Sequence, residues 1–185
     1  MSVLTISTRY AKALMDLAVE RNSVDTVLEN VKMFKEAVSN RDLYLLLKSP
    51  IVKESKKIEI FKVLFDGKLD EITDGFFGII MRKGREEYLP EIADAFIAQY
   101  KAKQKISSAK ITTAAAMSEE KLAEIRASLL NSNITEESID LEVVVDPSIL
   151  GGFVIEIGDK LYNASVLHQL NKLKKEFAGN DYVNA

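Results

Sequence analysis

The chain has no cysteine among its 185 residues. It can therefore hold neither a disulfide framework nor a thiolate metal site, and it fits a reducing compartment. His168 is the sole histidine, so no second imidazole exists to build a zinc site of the usual four ligands. Walker-type GxxxxGK[ST] and GxGxxG loops are both missing, which removes the usual signatures of nucleotide binding. No apolar run approaches the roughly 20 residues that cross a bilayer as a helix. The N-terminus shows no basic segment followed by an apolar core, so no secretory signal is expected. Asp16 and Glu20 come too early for an acid-poor transit peptide. A net charge of −3 argues against a nucleic-acid binder, which normally carries a basic surplus.

What is present is a soluble, globular composition: 47% apolar and 29% charged residues, with enough chain for one domain or two small ones. Charge is unevenly shared. Residues 1–105 carry 18 Lys and Arg against 16 Asp and Glu, whereas residues 106–185 carry 7 against 12. The change coincides with a shift from helical to mixed periodicity and predicts a boundary near Lys101–Ser108. The basic run across it, KAKQKISSAK, reads as a solvated helix end running into a linker.

The first half reads as helices joined by short connections, an all-α bundle of about six elements. Residues 5–21 form an amphipathic helix with Thr5 or Ser7 as candidate cap. Its apolar arc, spanning Ile6, Tyr10, Ala11, Ala13, Leu14, Met15, Leu17 and Ala18, is about twice as wide as the roughly 100° one core requires. Two explanations stand side by side. The flank Ile6, Tyr10, Ala13 and Leu17 takes a partner, or the helix is central and buried on both sides. Ser23 opens the next helix, with Val24, Val27, Leu28, Val31, Phe34 and Val38 facing a core. A short helix from Arg41 to Lys48 stops at Ser49-Pro50. The next, Lys53–Phe65, turns Ile58, Phe61, Leu64 and Phe65 inward and Lys53, Lys56, Lys57 and Lys62 to water. Asp70 to Lys83 is again apolar beyond one stripe, through Ile72, Phe76, Phe77, Ile79, Ile80 and Met81. Gly75 and Gly78 there permit close helix contacts. Pro90 sits in the first turn of a last long helix, with Leu89, Ile92, Ala93, Phe96, Ile97 and Tyr100 as its stripe.

The second half predicts a β-α-β-β-β-α unit, a short mixed sheet with helices packed on it. Lys110 to Met117 reads as a strand. Ser118 caps a helix carrying Glu119 and Glu120 in its first turn, which suits the helix dipole. Leu122, Ile125 and Leu129 face inward. Leu141–Val145 is a strand closed by Asp146-Pro147. Phe153, Ile155 and Ile157 alternate with Val154 and Glu156 in strand period. Gly158-Asp159 marks a two-residue hairpin, Lys160–Asn163 the return strand. Ser165 caps a final helix with Val166, Leu167, Leu170, Leu173 and Phe177 at helical spacing.

A search for chemistry comes up empty. Glu119/Glu120 and Glu136/Glu137 read as helix starts or solvated turns. Gly151-Gly152 reads as a bulge or close-packing point rather than an anion nest, and His168 as a structural or surface residue. No nucleophile elbow or triad is found, and no cofactor is expected.

GGFVIEIGDKLYNASVLHQLNKL resembles the C-terminal motif of the delta subunit of bacterial rotary ATP synthases, the relative of the mitochondrial oligomycin-sensitivity-conferring protein. RYAKAL at Arg9–Leu14, the Ser49-Pro50 break, Gly84-Arg85 and the LPEIADAF that follows are similar to that family in the same order. Asn163 stands where Asp is common in the family. The resemblance implies a non-catalytic stator connector: a six-helix N-terminal bundle (1–105) on the catalytic head, and a small C-terminal α/β domain (106–185) on the stalk. The implied partners are the N-terminal segments of alpha subunits, with beta nearby, and the C-terminal ends of the b subunits. One copy per complex is implied, peripheral on the cytoplasmic face of the bacterial inner membrane. Residues carried over for alpha are Ile6, Tyr10, Ala13, Leu17, Ile79 and Lys83. Those for b are Gly151, Gly152, Phe153, Ser165 and Leu170, with the helix from Ser165 to Leu173. A helical-bundle RNA-associated factor of antitermination type is the alternative, disfavoured by the acidic C-terminal half.

Overall fold

The computed structural model describes residues 3–131 and 138–179; Glu136 and Glu137 lie outside them. The fold is α+β and mostly helical, with eight α-helices and one four-stranded sheet among the described residues. The chain divides into two compact units, Met1–Lys103 and Gln104–Ala185.

The first unit contains α1 (Val3–Glu20), α2 (Val24–Val38), α3 (Arg41–Lys48), α4 (Glu54–Phe65), α5 (Glu71–Arg82) and α6 (Leu89–Lys103), with a 3-10 turn at Glu86–Tyr88 before α6. Its core is aromatic at the centre. Phe34 packs against Phe77 with ring centroids 4.8 Å apart, and Phe61 against Phe65 at 4.7 Å. Each such pair adds roughly 0.5–1.5 kcal/mol beyond the area it buries. α1 lays Ala11, Leu14, Met15 and Ala18 into this core, and α6 is the helix it packs against most extensively. α5 begins at Asp70, whose carboxylate accepts from the Thr73 and Ile72 amides and from Asn30 of α2. One side chain thus caps α5 and fixes it to α2.

Several local expectations are corrected. α1 starts at Val3, so Thr5 and Ser7 lie inside it; the Ser7 hydroxyl donates back to the Val3 carbonyl at 2.9 Å, the usual resort of serine within a helix. Ser23 does open α2, its carbonyl accepting from the Val27 amide at 3.0 Å, although its side chain makes no cap bond. Lys57 is buried rather than solvated. Its spacing explains this: residues 57, 61 and 65 share one helix face, so Lys57 continues the stripe of Phe61 and Phe65. Leu64, expected inward, is 41% exposed and lines a cleft between α2, α3 and α4 with Met33, Leu43 and Leu46. Among the described residues a Cβ at Gly75 would meet nothing within 4 Å, and one at Gly78 only the end of Arg82.

The second unit contains β1 (Ile106–Thr113), α7 (Glu119–Asn131), β2 (Ser138–Val145), a 3-10 turn at Pro147–Ile149, β3 (Phe153–Ile157), β4 (Lys160–Asn163) and α8 (Val166–Gly179). The sheet order is β2-β1-β3-β4, with β1 parallel to β2 and antiparallel to β3. Ala109, Ile111, Ile155 and Ile157 form its buried centre, with Ile125 and Leu129 of α7 against them. The first strand ends at Thr113, not Met117. Val145 and Phe153 are the last residues that the flanking strands place opposite it, and Ala114–Met117 has no ladder to join. Gly158 takes φ +57° while Asp159 does not turn positive, the pattern of a type II′ hairpin.

Candidate docking surfaces

The flank of α1 beside its buried face is half open. Ile6, Tyr10 and Leu17 are half-buried and Ala13 is exposed. Full burial on both sides is therefore not what the helix has. Tyr10 leans on Phe76 of α5, edge to face, with ring centroids 6.5 Å apart. Arg85 donates to the Tyr10 hydroxyl at 2.6 Å, and its guanidinium sits 5.7 Å from the ring centroid. Along α5, Gly75, Ile79 and Lys83 follow one another at four-residue spacing and are all exposed, Ile79 by 46%. Exposed Ile79 one turn from Gly75, where a Cβ would meet open space, leaves bare helix backbone beside an apolar side chain. A second helix could approach very closely there.

Four of the expected residues, Ile6, Tyr10, Ala13 and Leu17, share the flank of α1, and Ile79 and Lys83 share the outer ridge of α5. Contacts link the two helices. Phe76 and Arg85 belong to this surface and were not among the residues expected there. The Tyr10–Arg85 hydrogen bond joins residues 75 positions apart, and no local pattern in the chain announces it.

In the second unit the expected residues divide into two kinds. Ser165 is buried and serves α8, its hydroxyl accepting from the His168 amide at 3.2 Å. Asn163 supports it, its side-chain oxygen accepting from the Ser165 amide and hydroxyl. Gly152 has φ +73°, and a Cβ there would stand 2.3 Å from the Ala164 carbonyl oxygen. The Gly151 carbonyl accepts from the Val166 amide at 3.0 Å. Gly151, Gly152 and Ser165 thus build the corner from which α8 starts.

Phe153 and Leu170 are surface residues, 37% and 50% exposed. Phe153 stands opposite Thr113, with Val145 on the other side of the same residue. Val143 and Val145 are exposed as well, so this end of the sheet presents apolar side chains to water. α8 adds Val166, Leu167, Leu170, Leu173 and Phe177, all at least 37% exposed. One helix face carrying that many open apolar side chains exceeds what a solvated helix shows. His168 is exposed on α8. Among the described residues no cluster of acidic or histidine side chains is arranged to hold a metal ion, and no helix is long and apolar enough to cross a membrane.

The family model of the ATP synthase delta (OSCP) subunit matches residues 6–177. The chain belongs to this family. The ATP synthase subunit delta of Christiangramia forsetii is 35% identical over 181 residues, covering 95% of both chains. That of Pelodictyon phaeoclathratiforme is 34% identical over 176 residues, covering 95% of this chain and 98% of its own. A chain of the Toxoplasma gondii mitochondrial ATP synthase hexamer, solved by cryo-EM, matches the fold with a TM-score of 0.73 at 22% identity, over 93% of this chain and 97% of that one. This delta-family chain is a structural subunit of ATP synthase and not a catalytic one. The RNA-associated alternative is not supported.

Proposed function

We propose that the chain joins the two static parts of a rotary ATP synthase through the two apolar surfaces described above. The first unit works as a six-helix bundle on the catalytic head. Its α1/α5 surface, built on Ile6, Tyr10, Ala13, Leu17, Ile79 and Lys83 with Phe76 and Arg85, receives the amphipathic N-terminal segment of an alpha subunit, near the beta subunits. The second unit meets the C-terminal ends of the b subunits. Phe153 and Leu170 make contact there, while Gly151, Gly152 and Ser165 hold the corner that presents them. The delta subunit is a peripheral part of a membrane-bound complex; we assign it to the cytoplasmic face of a bacterial inner membrane, one copy per complex.

The observation that carries the reading is the half-open flank of α1 beside the unpacked ridge of α5 in a chain of this family. A part that resists torque needs clefts that take partner helices, and an amphipathic helix seated in a groove is a standard solution. Tyr10→Asp puts a charge at the centre of this surface. It should leave the helical content unchanged and weaken capture of a synthetic alpha N-terminal peptide more than tenfold, about 1.4 kcal/mol, by calorimetric titration. Undiminished capture would remove this surface from the interface.

A further inference from the structure

Lys57 and Glu86 form an ion pair inside the first unit, Nζ to Oε1 at 2.7 Å, with side chains only 4% and 7% exposed. The ammonium also donates to the Leu47 carbonyl at the end of α3, at 3.0 Å. One side chain of α4 thus holds the end of α3 and the turn that follows α5. Burying two charges costs solvation that their attraction often only offsets, so such a pair is weak evidence for stability. The second oxygen of Glu86 is buried with no hydrogen-bond partner among the described residues. Apolar residues would fill the space without that cost. What they would not supply is direction.

Direction matters at this place because of the neighbouring residue. The corner Gly84-Arg85-Glu86 leaves α5 with Gly84 at φ +62° and the Glu54 carboxylate seated over it, 2.7 Å from where a Cβ would be. The Arg85 amide donates to the Ile80 carbonyl at 3.1 Å. On its inner side the corner is held by Glu86, and on its outer side Arg85 reaches Tyr10. A solvent-exposed guanidinium loses considerable rotamer freedom when it is fixed. A single hydrogen bond to a tyrosine hydroxyl offsets little of that, so the starting point of the side chain decides how often the contact is made.

We propose that the Lys57–Glu86 pair is a positioning device for the α1/α5 docking surface: it sets the Gly84–Glu86 corner so that Arg85 lies on Tyr10 and fixes the ring that a partner helix meets. This rests on the docking reading of that surface. Neither Lys57 nor Glu86 touches the partner; both act through Arg85.

The test uses the full chain and the double substitution Lys57→Met with Glu86→Leu, which removes both charges at similar volume. Three readouts are taken: the thermal midpoint, nuclear Overhauser contacts between the Arg85 side chain and the Tyr10 ring, and capture of the alpha N-terminal peptide. The expected result is an unchanged or higher midpoint, weakened Arg85–Tyr10 contacts and about fivefold weaker capture, the scale of one modest hydrogen bond. In a Tyr10→Phe background, which lacks the accepting hydroxyl, the double substitution should cost no further affinity, since coupled residues are not additive. Should the double variant fail to fold, Glu86→Asp keeps the charge and shortens the tether, and the same three readouts apply. Arg85–Tyr10 contacts that persist unchanged overturn the proposal, as does a full additional loss in the Tyr10→Phe background. If the wild-type chain ignores the peptide, the docking reading fails instead, and the Overhauser contacts alone then decide whether the pair positions Arg85.

Discussion

Gly152 shows what a single missing Cβ does in this protein. Its φ of +73° lies in the left-handed region, and any side chain would press on the Ala164 carbonyl and on Ser165. Ala164 and Ser165 lead into α8, so the strain would fall on the element bearing Leu170. Gly152→Ala should destabilise the second unit by more than about 1 kcal/mol, read as a lower urea midpoint for loss of sheet signal. Asp146 acts on the turn before it. Hydrogen bonds from the Ser148 hydroxyl and then the Ser148 amide hold its carboxyl below the ordinary aspartate value, against a small opposing effect of burial. A carboxyl with a depressed folded value stabilises fully above the unfolded value near about 3.9 and loses that contribution as pH falls through the folded one. Stability from this source should be flat from neutrality down to about pH 5 and decline below it. Asp146→Ala should remove that share of the acid sensitivity, measured as urea midpoint against pH. An equal acid decline in the variant would show that other carboxylates carry it.

α5 is where stability and function pull apart. Gly75 lies in mid-helix with open space around it, and glycine there costs roughly 1 kcal/mol against alanine. Gly75→Ala should therefore raise the thermal midpoint. On the docking reading it should also weaken capture of the alpha peptide, because a methyl group would hold the incoming helix away from the backbone. A variant that is more stable and binds as well as before would place the partner elsewhere. Helices were the legible part of this chain, since stripes such as Val27, Val31, Phe34 and Val38 repeat at helical spacing over several turns. The Gly158-Asp159 hairpin and the Ser165 cap were legible for a local reason, as each is written in adjacent residues. Less visible was anything decided by a distant partner. β1 stops at Thr113 because its neighbours end there, although Ala114–Met117 is as apolar as a strand. Lys57 resembles the other lysines of α4 until Glu86, 29 positions later, meets it. The proposed docking surfaces were legible in part. Excess apolar width on α1 and α5 was readable, and Phe153 and Leu170 were named by resemblance, whereas Arg85 and the exposed Val143 and Val145 beside Phe153 emerge only from the folded arrangement.

For the molecule as a whole, the two units have separate cores. The aromatic group of Phe34, Phe61, Phe65 and Phe77 belongs to the first, and the Ala109, Ile111, Ile155 and Ile157 centre to the second. The first has a continuous apolar interior of its own, the kind of core that lets a unit of about 100 residues fold alone. A connector benefits from this division. Head and stalk place different demands on it, and a surface on one unit can be tuned without disturbing the packing of the other. The consequence is testable by cutting the chain at its natural division. A polypeptide ending at Lys103 should remain helical, melt cooperatively and still capture the alpha peptide with affinity within about threefold of the full chain, since sites that share no packing partners act independently. It should no longer bind a peptide taken from the C-terminal end of the b stalk in the same titration. Retention of b binding would move the stalk surface into the helical unit, and an unfolded product would mean that the helices depend on the sheet.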